Sequence, residues 1–240
     1  MIEKINIYKD TETLSEGFTS FLKEELQKHD LLNISLSGGS TPKALFKHWA
    51  DKYKDSLDWQ RIAFYWGDER CVPPDDEMSN FGMTKDLLFS KVDAIVKKQI
   101  HRIHGENDPE EEIVWYTGIM NRFLPRENNY PVFDIMMLGL GDDGHTVSIF
   151  PNQIELWDDQ SDCVLAHHPE TGMTRISLTG NVVNNSRNIA FLVTGKNKAE
   201  KVKQIIQQRK DFLDKYPAAR VNPVAGNLYW FLDEEAASLL

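Results

Sequence analysis

Apolar positions along the chain follow two alternating rhythms. Between residues 13 and 28, Leu14, Phe18, Phe21, Leu22 and Leu26 fall on one helical stripe, which predicts an amphipathic helix. Thr13 and Glu16 have the spacing of a capping box at its start. Residues 31–36 then read as a strand, ended by Gly38 and Gly39. Thr41 and Pro42 suit the N-cap and first position of a further helix carrying Leu45, Phe46 and Trp49. Runs at 62–66 and 133–138 are nearly all apolar, as strands of a parallel sheet covered on both faces should be. Further strands are expected at 164–166, 176–178, 189–193 and 228–232, and helices at 79–90, 109–123 and 197–208.

This alternation predicts an α/β fold: a three-layer, Rossmann-like arrangement with a mostly parallel sheet and helices on both faces. No internal repeat, low-complexity tract or Gly/Ser linker breaks the pattern, and a length of 240 residues favours one domain over 1–240. In such folds ligands bind beyond the carboxyl ends of the strands. The segments that follow the strands are therefore the ones to search for chemistry.

Composition narrows the function classes. The chain is 41% hydrophobic and 27% charged, ordinary globular usage. No apolar run approaches the roughly 18 residues a membrane helix needs. MIEKINIYKD lacks the apolar core of a secretory signal. A cytoplasmic protein with no membrane partner is expected. Cys71 and Cys163 form no metal-spaced pair and read as reduced thiols. The net charge of -10 repels polyanions, so no nucleic-acid partner is expected. A phosphate site would have to be local, built from a helix start and a few converging cations.

Ser37-Gly38-Gly39-Ser40-Thr41-Pro42 follows the first predicted strand. Glycines let a backbone approach a phosphate, the next helix offers free N–H groups, and Ser40 and Thr41 add hydroxyls. A plain tight turn with a capped helix explains the same residues, and the Gly-Lys-Ser/Thr ending of a Walker A loop is absent. Gly67-Asp68-Glu69-Arg70 follows the strand at 62–66. Either these are solvated loop charges, or Arg70 grips a phosphate with its planar fork while Asp68 faces sugar hydroxyls or a water. Ser79-Asn80 reads as an N-cap.

Gly139-Leu140-Gly141-Asp142-Asp143-Gly144-His145-Thr146 follows the strand at 133–138. A histidine at a strand tip beside carboxylates is a candidate proton carrier near neutral pH, and a satisfied turn histidine is the alternative. The glycine spacing does not match a dinucleotide fingerprint. Arg175 precedes an apolar run, and Gly195-Lys196-Asn197-Lys198-Ala199 follows another. Lys198, expected in the first turn of a helix, opposes the helix dipole unless something such as a phosphate compensates; an exposed lysine is the alternative.

Taken together, SLSGGSTP (35–42), WGDERCVP (66–73) with SN (79–80), LGLGDDGHTVSIFP (138–151), RISLTGNVVNNS (175–186), LVTGKNKAEKV (192–202) and GNLYWFLDEEAA (226–237) resemble the 6-phosphogluconolactonase family, in the family order. The resemblance implies a sugar-phosphate fold shared with glucosamine-6-phosphate deaminases and ribose-5-phosphate isomerases. It further implies hydrolysis of 6-phospho-glucono-1,5-lactone to 6-phosphogluconate in the oxidative pentose phosphate pathway, with no metal and no organic cofactor. On the same basis the histidine of DGHT, His145, is the base, and the arginine of DER and the lysine of GxxKA, Arg70 and Lys198, are phosphate ligands. Val147 departs from the small residue usual after GHT and bears on pocket shape.

The expected site thus comprises His145, Asp143 and Asp68 at the reacting end. Gly38, Gly39, Ser40, Thr41, Arg70, Arg175 and Lys198 are expected around the sugar phosphate. Asp143 either orients the imidazole or binds a sugar hydroxyl. Two rivals use the same residues. An amino-sugar-phosphate isomerase/deaminase would employ a carboxylate base with a ring-opening histidine, and a non-catalytic sensor would dispense with the histidine.

Overall fold

The computed structural model describes residues 2–240. In chain order the regular elements begin with β1 (Glu3–Tyr8), α1 (Thr11–Leu26), β2 (Leu32–Leu36), α2 (Ser40–Lys52), β3 (Ile62–Trp66), β4 (Asp68–Arg70) and α3 (Asn80–Thr84). They continue with α4 (Pro109–Phe123), β5 (Arg126–Glu127), β6 (Tyr130–Pro131), β7 (Ile135–Leu138), β8 (Cys163–His167) and β9 (Thr174–Leu178). The last are α5 (Gly180–Asn184), β10 (Asn188–Val193), α6 (Ala199–Gln207), α7 (Arg209–Phe212) and β11 (Asn227–Asp233).

Six strands form a sheet in the order β1-β11-β10-β7-β2-β3, with every neighbouring pair parallel. β2, β3, β7 and β10 are buried along their whole length; β3 and β7 accordingly read as unbroken apolar runs, whereas β2 also buries Asn33 and Ser35 and β10 begins with the buried Asn188. α1 packs on β1 and β11 and against α2, which reaches β10. Trp49, Trp59, Trp66 and Trp230 are fully enclosed in one continuous apolar cluster. The outer edge of β3 is closed by three groups: the Gln99 amide donates to the Ile62 carbonyl (2.7 Å), the His101 N–H to the Phe64 carbonyl (2.8 Å), and the Tyr116 hydroxyl of α4 donates to the Trp66 carbonyl (2.9 Å) and accepts from the Trp66 N–H (3.0 Å). An edge strand with its free backbone groups satisfied offers no template for pairing.

β4, β9 and β8 make a second, antiparallel sheet, and β5 and β6 a small hairpin. The α/β architecture with a mostly parallel sheet agrees with the sequence pattern. Several local expectations do not. β1 had no predicted counterpart: its residues alternate and are largely exposed at the sheet edge, so no continuous apolar run marks it. Asp10, not Thr13, is the N-cap of α1; its carboxylate accepts from the Thr13 N–H (2.9 Å), and the Thr13 hydroxyl bonds back to Asp10, so Glu16 takes no part. At α2 the N-cap is Gly39, at φ +103°, rather than Thr41. The helix expected at 79–90 is α3 followed by a π-type turn over Lys85–Phe89.

Candidate active site

The chain runs from β2 outward to β3, and later returns to place β7 on the other side of β2. This reversal is the topological switch point where α/β sheets bind ligands. Three adjacent strands, β10, β7 and β2, deliver their following loops to one cleft of ≈ 270 Å3. Gly38, Gly39, Ser40, Thr41, Asp68, Arg70, His145, Arg175 and Lys198 all border it. Asp143 stands behind His145.

The loop after β7 is a tight knot. The Gly141 N–H donates to the His145 carbonyl (2.9 Å) and the Gly144 N–H to the Gly141 carbonyl (3.1 Å). Gly144 has φ +91°, and a Cβ there would strike the Tyr216 ring, so glycine is required. One Asp143 oxygen lies 2.6 Å from His145 Nδ1 and accepts from the His145 N–H at 3.0 Å. Burial pushes the Asp143 carboxyl up, but its bonds to His145 outweigh this and hold it below the ordinary aspartate range. Asp143 therefore faces the histidine as a carboxylate. Of the two uses left open for it, bonding to the imidazole is the one the geometry contains. Val147, two residues on, lines the cleft with φ +46°, a conformation that β-branched residues rarely adopt.

The opposite wall comes from the second sheet. Asp68 and Glu69 are 5% and 2% exposed, so the charges after β3 are not a solvated loop. They begin β4, which pairs with β9 and sets Arg70 directly across from Arg175. Asp68 Oδ2 accepts from the Ser148 hydroxyl at 2.6 Å, tying this wall to the loop after β7. The Nε–H groups of Arg70 and Arg175 are buried without a hydrogen-bond partner. Burial lowers the Arg175 pKa, Asp68 opposes this, and Arg70 adds to it. Two like charges side by side with unspent donors form a local field that favours an anion. The Phe150 ring lies between Arg175 (5.4 Å from its centroid) and the His145 ring (4.6 Å).

Glu69 holds this wall in place. Its carboxylate accepts from the N–H groups of Arg70, Asn80 and Phe81 and from the Ser79 hydroxyl, so it caps α3 together with Ser79. Burial outweighs these donors and pushes its carboxyl up to about 6. A raised carboxyl binds its proton more tightly in the folded chain. Its contribution is therefore full below the unfolded value near 4.5 and is lost as pH rises through 6, an effect of about 2 kcal/mol. Glu69→Gln is expected to flatten this part of the stability–pH curve and, because one of the two accepting oxygens becomes a donor, to lower stability at pH 4.5 by about 1–3 kcal/mol. Denaturant unfolding at pH 4.5, 6 and 7.5 reads both; an unaltered curve would contradict the assignment.

The third side is the turn after β10. Gly195 has φ +96°, and its N–H is held by the Asp233 carboxylate (3.0 Å). Lys198 closes a 3-10 turn, Lys196–Lys198, and is the N-cap of α6 rather than a residue of its first turn. Its ammonium lies 2.6 Å from Asp142 Oδ1. The compensation expected for a cation at a helix start is thus supplied here by a carboxylate of the chain. Thr41, freed from capping, shares a hydrogen bond with Thr194 (2.8 Å) and so links the β2 and β10 loops.

Residues 10–230 match the model of the family described as glucosamine-6-phosphate isomerases/6-phosphogluconolactonase. The chain belongs to this family. It is 43% identical over 197 residues to the 6-phosphogluconolactonase of Treponema pallidum (strain Nichols), covering 82% of this chain and 81% of that one. It is 42% identical to the Haemophilus influenzae 6-phosphogluconolactonase, covering 87% and 88%. The solved 6-phosphogluconolactonase of Trypanosoma brucei superposes with a TM-score of 0.87 at 28% identity, covering 99% and 98%.

In this family member several cleft residues escaped sequence reasoning. Asn80, read only as part of a cap, donates to the Asp68 carbonyl (3.0 Å) and presses on Gly38, where a Cβ would fall 1.9 Å from its Oδ1. Gly38 is thus needed for close approach. Ser148, Thr194 and Asp142 act through contacts between segments far apart in the chain, and only the acidic run around Asp142 gave any signal. No helix among the described residues is long and apolar enough to cross a membrane.

Proposed function

We propose that this chain hydrolyses 6-phospho-D-glucono-1,5-lactone to 6-phospho-D-gluconate. The observation that carries the reading is the His145–Asp143 pair sharing one cleft with Arg70, Arg175 and Lys198. Membership of the family, and the lactonase names of the relatives described above, support it.

Asp143 holds Nδ1, leaving Nε2 of neutral His145 to take a proton from water as the water oxygen bonds to C1. The resulting oxyanion is met by backbone N–H groups of a glycine loop. As the bond from C1 to the ring oxygen breaks, His145 returns the proton to that oxygen. Asp68 contacts the sugar or the water. Arg70, Lys198 and the Ser40–Thr41 helix start hold the phosphate, with Arg175 as a third cation. Gripping the phosphate at a distance fixes the carbonyl against the water.

The test is to generate the phosphorylated lactone in situ and measure opening above its spontaneous rate. No acceleration would refute the reading, and ammonia release from glucosamine 6-phosphate would favour the deaminase instead. Arg70→Ala is expected to raise KM about 10- to 100-fold with kcat much less affected, the mark of a group that binds without taking part in bond-making. A steady-state titration of lactone separates the two constants.

A further inference from the structure

Asp142 is the charged cleft residue for which the mechanism above has no use. Its Oδ1 accepts from two donors of the turn after β10: the Lys198 ammonium at 2.6 Å and the Asn197 side-chain amide at 2.9 Å. The two partners differ in their surroundings. The Lys198 side chain is 19% exposed and sits in the cleft wall, whereas the Asp142 side chain is 72% exposed. An anion seated against a fixed cation, with its own side chain mostly in water, occupies the position a ligand oxygen would take and can leave it at low cost.

We propose that Asp142 is an internal stand-in for the substrate phosphate: it neutralises Lys198 in the empty cleft, is displaced by the phosphate, and re-engages Lys198 as product departs. The proposal rests on the reading of Lys198 as a phosphate ligand. A phosphate dianion carries more charge than a carboxylate and can also draw on Arg70 and Arg175, so it wins the exchange. The displaced carboxylate then lies near a dianion and repels it. Opening the lactone creates a second anionic group on the same molecule, so the product suffers this repulsion more than the substrate. Asp142 thereby sacrifices some affinity and gains product release, which limits turnover in many enzymes. Specificity follows as well, because a ligand without phosphate cannot displace the carboxylate from Lys198.

Asp142→Asn keeps the size and removes the charge. Calorimetric titration with inorganic phosphate and with 6-phosphogluconate is expected to show about three- to tenfold tighter binding to Asp142→Asn than to the unsubstituted chain. In kinetics, KM for the phosphorylated lactone and the product-inhibition constant fall together, while KM for unphosphorylated glucono-1,5-lactone moves much less. Placed in a Lys198→Met background, the same substitution loses most of its effect, which a general loosening of the loop would not do. Weaker or unchanged phosphate binding in Asp142→Asn, or equal tightening with and without Lys198, overturns the proposal. The titrations need no turnover, so a failure of the lactonase reading would be seen separately, in the rate assay of the unsubstituted chain.

Discussion

His145→Ala is expected to lower kcat by about 10²- to 10⁴-fold while KM changes little, because the loss falls on proton transfer rather than on the phosphate grip. A lactone is an activated ester, so the enzyme has only to aim a water and move its proton. The imidazole is placed to do both: Asp143 holds its Nδ1 at 2.6 Å, and its side chain is 28% exposed, enough to meet a water. The surrounding cations are not replaced by the substitution, so substrate still binds. The uncatalysed opening of the lactone sets a floor, and the rate has to be taken as an excess over it. Full turnover in His145→Ala would remove the base from the mechanism.

A second large loss is expected at a residue with no side chain of its own. A Cβ added at Gly141 would lie 2.1 Å from His145 Nδ1 and 2.6 Å from Asp143 Oδ1, inside any permissible contact. The obstruction is side chain rather than backbone, so the loop can keep its path while the imidazole is driven off its carboxylate. Gly141→Ala is therefore expected to cut kcat by about 10²- to 10³-fold, since misplacement of the base by an ångström is that costly. Stability should change by no more than about 1–2 kcal/mol. Parallel assays of turnover and of chemical unfolding separate the two effects. A Gly141→Ala protein with normal turnover would mean that the His145–Asp143 contact is dispensable.

Much of the fold was legible because its central strands are covered on both faces and so announce themselves as apolar runs. β3, at Ile62–Trp66, and α4, at Pro109–Phe123, fall where the spacing put them. β1 was not legible, since an edge strand has no need to be apolar. Whether the charges of the DER segment were solvated or built into a site stayed open for a related reason: its carboxylates are buried by neighbours outside the segment, Ser148 for Asp68 and the start of α3 for Glu69. The candidate site was readable residue by residue from turn chemistry and motif. Its wiring was not. That Asp142 faces Lys198, that Thr41 meets Thr194 and that Arg70 stands across from Arg175 are consequences of strand order. No spacing along one chain encodes which strand ends become neighbours.

The assignment of Asp68, Arg70 and Arg175 to the small antiparallel sheet, and of His145 to a loop that leaves the parallel one, makes the cleft a seam between two layers. Neither layer owns the reaction: one contributes the proton carrier and the other the paired guanidinium groups, with Ser148 to Asp68 as a rivet across the joint. Substitutions far from the cleft that let one layer slide on the other would then register first as lost activity, in a chain that is still folded.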